Sequence, residues 1–258
     1  MTPQLCCFNL FDRHVDWVFV EQGKNRLSIF ICCLVILVLT VERPGDPLGK
    51  QRVLREDEAK SILREHGIPV PDFFVIEKDG SPALHDVRYP LVAKVCSEKI
   101  LHKTDIGGVT KDIKNKEQLL DAISELRERF PEESLLVETM EEGNIELIVG
   151  ITQDEVFGPT VMFGLGGVLA ELYKDVVFRT IPIDEYDARE MMSDLRGAEV
   201  LEGFRGIQVS KDSIKNLLLK VSKLGENMNG NLEQLDLNPV LASEKGVVVV
   251  DAKMILRT

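Results

Sequence analysis

Hydrophobic patterning divides the chain near residue 53. Before that point, Leu27 to Val41 reads LSIFICCLVILVLTV, fifteen residues without a charge. A membrane-spanning helix takes about 20 apolar residues, and about 17 at the least, so this run is short for one. Lys24 and Arg26 precede it as in a signal sequence, but the leader before them contains acids and no small-residue cleavage site follows. Three readings of residues 1–53 stay open: a mis-assigned translation start ahead of a functional protein that begins near Val53, a weak membrane anchor, or an extra buried strand or helix. In each of them the segment lacks catalytic residue types in a useful arrangement.

After Val53 the periods of helix and strand alternate. A helix is expected from about Arg55 to His66, with Ala59, Ile62 and Leu63 as its apolar stripe and Gly67 and Pro69 as its stop. Pro69-Val70-Pro71 must be extended. LVAKVC (Leu91–Cys96) reads as a buried strand, Val109–Ile113 as its partner, and the loop between them carries paired glycines. A second helix runs from its cap Asn115 to about Arg129 and buries Leu119, Ala122, Ile123 and Leu126. Leu135–Val137 and Ile145–Ile151 are expected strands on either side of a turn at Glu142-Gly143-Asn144. Thr160–Phe163 and Val176–Ile181 follow as strands. Asp212 is the expected cap of a helix burying Ile214, Leu217, Leu218, Val221 and Leu224, and the β-branched run Gly246–Asp251 closes the pattern. The regular β-α-β alternation of a doubly wound sheet is missing. The expectation is therefore an α+β fold of two lobes, residues 54–137 and 138–258, behind a separate leader of residues 1–53.

Composition adds limits. With 44% hydrophobic and 29% charged residues the chain has the balance of a globular protein. Its formal net charge of −12 argues against a nucleic-acid partner, which needs a basic surface. A nucleotide is still admissible, because glycine amides, a lysine and a divalent metal outweigh the global sign at short range. The five cysteines, Cys6, Cys7, Cys32, Cys33 and Cys96, lack zinc-ligand spacing and read as reduced thiols of a cytoplasmic protein.

Four groups of residues carry candidate chemistry. Asn238 and Asp251 lie at strand edges thirteen apart. If their strands pair, an amide oxygen and a carboxylate face one site, a hard-oxygen set suited to magnesium; otherwise they are a turn-forming Asn-Pro and a solvated aspartate. Lys94 sits inside an apolar strand, where a lysine is costly unless it meets an anion. It is followed by His102-Lys103-Thr104-Asp105-Ile106-Gly107-Gly108, where two glycines permit close approach of backbone amides to phosphate. Glu138 and Glu146 flank the turn near Gly143, placed to accept hydrogen bonds from ribose hydroxyls or exocyclic amines, or else simply on an exposed strand face. Gly164-Leu165-Gly166-Gly167 and Gly203-Phe204-Arg205-Gly206 offer candidate phosphate or subunit contacts through Gly166, Gly167 and Arg205.

Taken in order, EAKSILREHGIPVP, YPLVAKV, ILHKTDIGGV, LVETM with IELIVG, FGPTVMFGLGGVLAELYKDVVFR, GFRG, and LDLNPV with VVVDAK resemble the beta subunit of the ADP-forming acetyl-CoA synthetases. That family has the ATP-grasp fold and is related to succinyl-CoA synthetase. The resemblance covers about Leu54 to the C-terminus. The leader has no counterpart, and Phe74 to Tyr89 is shorter than the family pattern. The resemblance implies an acyl phosphate formed on an alpha subunit and a phosphoryl group passed through histidines to ADP, reversibly. It implies His102 as the phosphohistidine, Lys94, Gly107, Gly108, Glu138 and Glu146 as nucleotide contacts, and Asn238 and Asp251 as Mg2+ ligands. ATP or ADP would be the substrate, and the partner an alpha subunit with the CoA-binding domain, in a cytoplasmic heterotetramer. Two alternatives remain from the residues themselves: an ATP-grasp carboxylate–amine ligase and a non-catalytic nucleotide-sensing module.

Overall fold

A computed structural model describes residues 51–82, 87–100, 103–154, 156–167 and 175–257. The apolar run of residues 27–41, His102 and the segment after Gly167 up to Lys174 lie outside the described residues. Among the described residues no helix is long and apolar enough to cross a membrane.

The chain enters through a short strand β1 (Gln51–Val53) and helix α1 (Glu56–Glu65). Gly67 takes a left-handed conformation at φ +69°, and the Ile68 amide reaches back to the Leu63 carbonyl, which closes the helix where the glycine predicted it. Strand β2 (Phe73–Ile76) follows, then β3 (Leu91–Cys96) and β4 (Val109–Ile113). Helix α2 (Lys116–Arg129) starts at Asn115, whose side chain accepts from the Gln118 amide. Strand β5 (Ser134–Thr139) completes a four-stranded antiparallel sheet in the order β2-β5-β3-β4. Every residue of β3 and β5 is buried, as expected of strands covered on both faces. The buried stripe of α2, Leu119, Ala122, Ile123 and Leu126, packs with Leu91, Ala93, Leu135 and Val137 as one core.

The remaining strands build a second sheet. They are β6 (Ile145–Asp154), β7 (Gly158–Leu165), β8 (Val176–Thr180), β9 (Leu232–Ser243), β10 (Gly246–Val249) and β11 (Ala252–Arg257). Their order is β1-β11-β9-β6-β7-β8, with β10 also paired to β9. Helices α3 (Glu185–Ser193) and α4 (Lys211–Asn227) cover this sheet. Helix α4 begins at Ser210, whose hydroxyl accepts from the Ser213 amide, so the cap lies two residues before the predicted Asp212. Ile214, Leu217, Leu218, Val221 and Leu224 are buried as the helical period requires.

Two features set up the site. β5 and β6 are consecutive but belong to different sheets, so the Glu142-Gly143-Asn144 segment joins sheets and is not a hairpin turn. And Ala59 and Leu63 of α1 pack in the core of the larger sheet, while Glu56 and Lys60, on the same buried stripe, meet side chains from β3 and β5.

Candidate nucleotide and metal site

An interlocked set of charges lies where α1, the four-stranded sheet and the β10–β11 junction meet. The Lys60 Nζ stands 2.7 Å from Glu56 Oε1, one helical turn away, and also contacts Glu138. Lys94 Nζ lies 3.0 Å from Glu56 Oε1 and 2.7 Å from Glu138 Oε1. Lys103, from the β3–β4 loop, pairs with Glu56 and lies 3.9 Å from Asp251 Oδ1. Three ammonium groups thus balance three carboxylates. Such a set survives burial only because each charge has several partners. Burial opposes ionisation of Glu56, yet Lys94, Lys60 and Lys103 together hold it well below the ordinary carboxylate range. Burial likewise works against the charge on Lys94 and Lys103. Glu56 with Glu138 and Asp251 raises the first, and Glu56 with Asp251 raises the second.

One backbone carbonyl joins this set. β9 pairs with β11 along its first half and with β10 along its second, and Val250–Asp251 is the junction between them. The Val250 amide donates to the Pro239 carbonyl at 3.2 Å. The reciprocal ladder bond is impossible, because proline has no N–H. The Val250 carbonyl is taken instead by Lys94 at 2.5 Å and Lys60 at 3.0 Å.

Next to it, the Asn238 amide donates to the Asp251 carbonyl at 3.3 Å, so the two residues predicted as ligands are brought opposite one another. Asp236, two residues back on the same face of β9, adds a second carboxylate. Burial, and then Asp251, push its pKa up to about 6, against the pull of Lys253. Its Oδ1 is buried without a hydrogen-bond partner. The Asp251 side chain is 45% exposed, and surrounding protein and Glu56 raise its pKa while Lys94 and Lys103 oppose the rise. Two carboxylates and an amide can share a hard cation with water and phosphate oxygens. Among the described residues no group of three or more His, Cys, Asp or Glu forms a self-sufficient metal cage.

Residues 48–256 match the family described as ATP-grasp domain. The chain belongs to the ATP-grasp family. It is 38% identical over 218 residues to the beta subunit of acetate–CoA ligase (ADP-forming) I of Pyrococcus furiosus, covering 81% of this chain and 94% of that one. It is 35% identical over 206 residues to acetate–CoA ligase (ADP-forming) II of Archaeoglobus fulgidus, covering 79% of this chain but only 30% of that longer one. A solved structure of the dinucleotide-forming acetyl-coenzyme A synthetase 1 of Ca. Korarchaeum cryptofilum matches with a TM-score of 0.70 and 39% identity. It covers 80% of this chain and 93% of that one. That structure holds coenzyme A and Mg-AMPPCP, with its phosphohistidine segment pointing towards the nucleotide binding site.

Within this ATP-grasp chain the predicted site residues meet different fates. Lys94, Asn238 and Asp251 converge as described. Glu138, expected as a sugar or base contact, is buried with its two oxygens engaged by Lys60 and Lys94. Gly107 and Gly108, expected as phosphate-binding amides, lie in a loop bonded to its own carbonyls. The Gly107 amide donates to Thr104 and the Gly108 amide to Lys103, which closes the loop on itself. A Cβ on Gly108 would stand 2.8 Å from Val95 Cγ1, and Gly107 holds a left-handed φ of +66° that other residues adopt only with strain. Glu146 is exposed on β6 beside the other glycine loop. The Gly166 amide donates to its carbonyl at 2.7 Å, and a Cβ on Gly167 would meet its Oε2 at 3.1 Å. Arg205 is exposed at φ +53° with its guanidinium 5.4 Å from the Phe204 ring, on a short turn separate from the lysine cluster's named contacts.

Sequence reasoning missed Glu56, Lys60, Lys103 and Asp236. Glu56, Ala59, Lys60 and Leu63 follow the i, i+3, i+4, i+7 period, and two charges on an apolar stripe were the available signal. Asp236 had one too, since it shares strand parity with Asn238. Cys96 is a buried free thiol that donates to Asp57 Oδ1 at 3.2 Å, and burial pushes its pKa up to about 11.

Proposed function

We propose that this chain is the nucleotide-handling half of an ADP-forming acyl-CoA synthetase, a ligase that works with an alpha subunit bearing the CoA-binding domain. The observation that carries the reading is that Lys94 and Lys103 lie about Asp251, which stands opposite Asn238, while Lys103 follows His102 directly in the chain. In the transfer, a β-phosphate oxygen of ADP attacks the phosphorus carried on the His102 imidazole. The P–N bond breaks as the new P–O bond forms, and the electron pair returns to the ring, which leaves as neutral imidazole because its other nitrogen carries a proton. Lys94 and Lys103 offset charge on the phosphates while Glu56 and Glu138 fix their ammonium groups. A neutral imidazole suits the role, being both nucleophile and leaving group near pH 7.

Magnesium fits the other side of the site. The unpartnered Oδ1 of Asp236 is a buried acceptor lacking a donor, which a cation would satisfy. Asp236, Asn238 and Asp251 would hold it, and it would supply charge neutralisation at the phosphates. The assembly is proposed as a cytoplasmic heterotetramer, in keeping with the beta-subunit designation of the Pyrococcus furiosus relative.

The test uses the chain with its alpha subunit. His102→Asn is expected to retain ADP binding and to lose acid-dependent acyl-CoA formation. Full synthesis by that variant overturns the phosphoryl-carrier role. Labelling with radioactive ATP is expected to leave acid-labile, base-stable phosphate on the wild-type chain. A carboxylate–amine ligase, which forms its acyl phosphate directly on ATP, would leave none.

A further inference from the structure

We propose that Lys60 is a positioning residue that sets the metal-facing segment Val250–Asp251 and, through the same ammonium, the Lys94-bearing side of the site. The inference rests on the reading of Asp251 as a cation ligand given above. Lys60 is completely buried, with no exposed side-chain surface. A lysine in that position stays charged only because internal anions neutralise it. Its three contacts are specific. Glu56 belongs to its own helix, Glu138 to β5 of the smaller sheet, and the Val250 carbonyl to the β10–β11 junction of the larger sheet.

The third contact is decisive. Pro239 removes the ladder donor that would otherwise fix the Val250 carbonyl, so the peptide next to Asp251 has no strand partner on that side. Lys60 and Lys94 replace that donor. Lys94, read above as a phosphate contact, keeps 8% of its side chain exposed and can be drawn toward phosphate when a nucleotide enters. Lys60 has no such exit and stays with Val250. It therefore holds Asp251 in its place opposite Asn238 while Lys94 is engaged elsewhere.

The effect of groups that orient a ligand without touching the metal is typically about 10–100-fold in metal affinity. The experiment measures ADP affinity by titration calorimetry, with and without Mg2+, on the purified chain. The ratio of the two affinities reports the metal's contribution alone. Lys60→Met is expected to lower that ratio about tenfold. A purely structural role would weaken both affinities equally and leave the ratio at its wild-type value, which would overturn the proposal. In an Asp251→Ala background, Lys60→Met is expected to change the ratio no further, because the two act through one carboxylate. Losses that multiply would show that Lys60 acts elsewhere. If Lys60→Met does not fold, Lys60→Gln, which keeps an uncharged donor, gives the same comparison. A wild-type chain whose ADP affinity ignores Mg2+ would instead defeat the functional reading itself, and the positioning role with it.

Discussion

Glu56 shows how single residues carry this site. Its carboxylate is surrounded by three ammonium groups, and its ionisation is favoured in the folded state over the unfolded one. A carboxylate with a depressed folded pKa contributes stability above its ordinary value near 4.5, and that contribution fades as pH falls toward the lower folded value. Glu56→Gln leaves Lys60, Lys94 and Lys103 with two carboxylates among them. Breaking a buried pair in this way costs about 3–5 kcal/mol. Urea denaturation at neutral pH is expected to show a loss of that order, and the gap between variant and wild type is expected to narrow at about pH 3, as the wild type itself surrenders the contribution. A gap that is constant with pH would mean that Glu56 is not ionised in the fold.

At the scale of elements, the β3–β4 connection holds Lys103 in place by packing its glycines tightly. Gly108 lies under Val95, and its amide is bonded to the Lys103 carbonyl at 2.7 Å. Gly108→Ala places a methyl 3.0 Å from that carbonyl oxygen and 2.8 Å from Val95 Cγ1, so strand or loop must move. Overpacking of this kind costs about 1–3 kcal/mol. Thermal or urea unfolding is expected to register it, and ADP affinity is expected to fall because Lys103 moves with the loop. Unchanged stability would show the loop to be slack. Elements of this kind were largely legible in the sequence. The helical stripes of α2 and α4, the apolar β3 and the Gly67 stop all follow from local periodicity and local chemistry. What the sequence could not disclose was which strands share a sheet. Glu138 and Glu146 looked like neighbours across a turn, yet their strands part into different sheets, because pairing is decided by contacts remote in the chain. Nor does the sequence disclose that the amides of Gly107 and Gly108 bond to carbonyls of their own loop, because that depends on how the loop closes. Glu56 and Lys60 were visible as charges on an apolar stripe, but their partners on β3, β5 and the β10–β11 junction are set only by the tertiary fold.

At the scale of the whole molecule, the described residues form two sheets joined through that charged set. Lys94 and Glu138 belong to the smaller sheet, Val250 and Asp251 to the larger, and α1 reaches both. A nucleotide and cation bound there contact both halves, so binding is expected to stabilise the fold as a unit. At a ligand concentration about 100 times Kd, linkage supplies about 2.7 kcal/mol. For a domain of about 150–250 residues, about 2–4 °C of Tm accompanies each kcal/mol, which gives a rise of about 5–11 °C with ADP and Mg2+. Asp251→Ala should retain the smaller shift from ADP alone and lose most of the increment that Mg2+ adds, since the remaining Asn238 and Asp236 hold the cation without the carboxylate opposite them. Scanning calorimetry with ADP, with Mg2+ and with both separates these contributions. Coincident Mg2+ dependence in variant and wild type would remove Asp251 from the cation site, leaving its raised pKa as a consequence of burial and Glu56 alone.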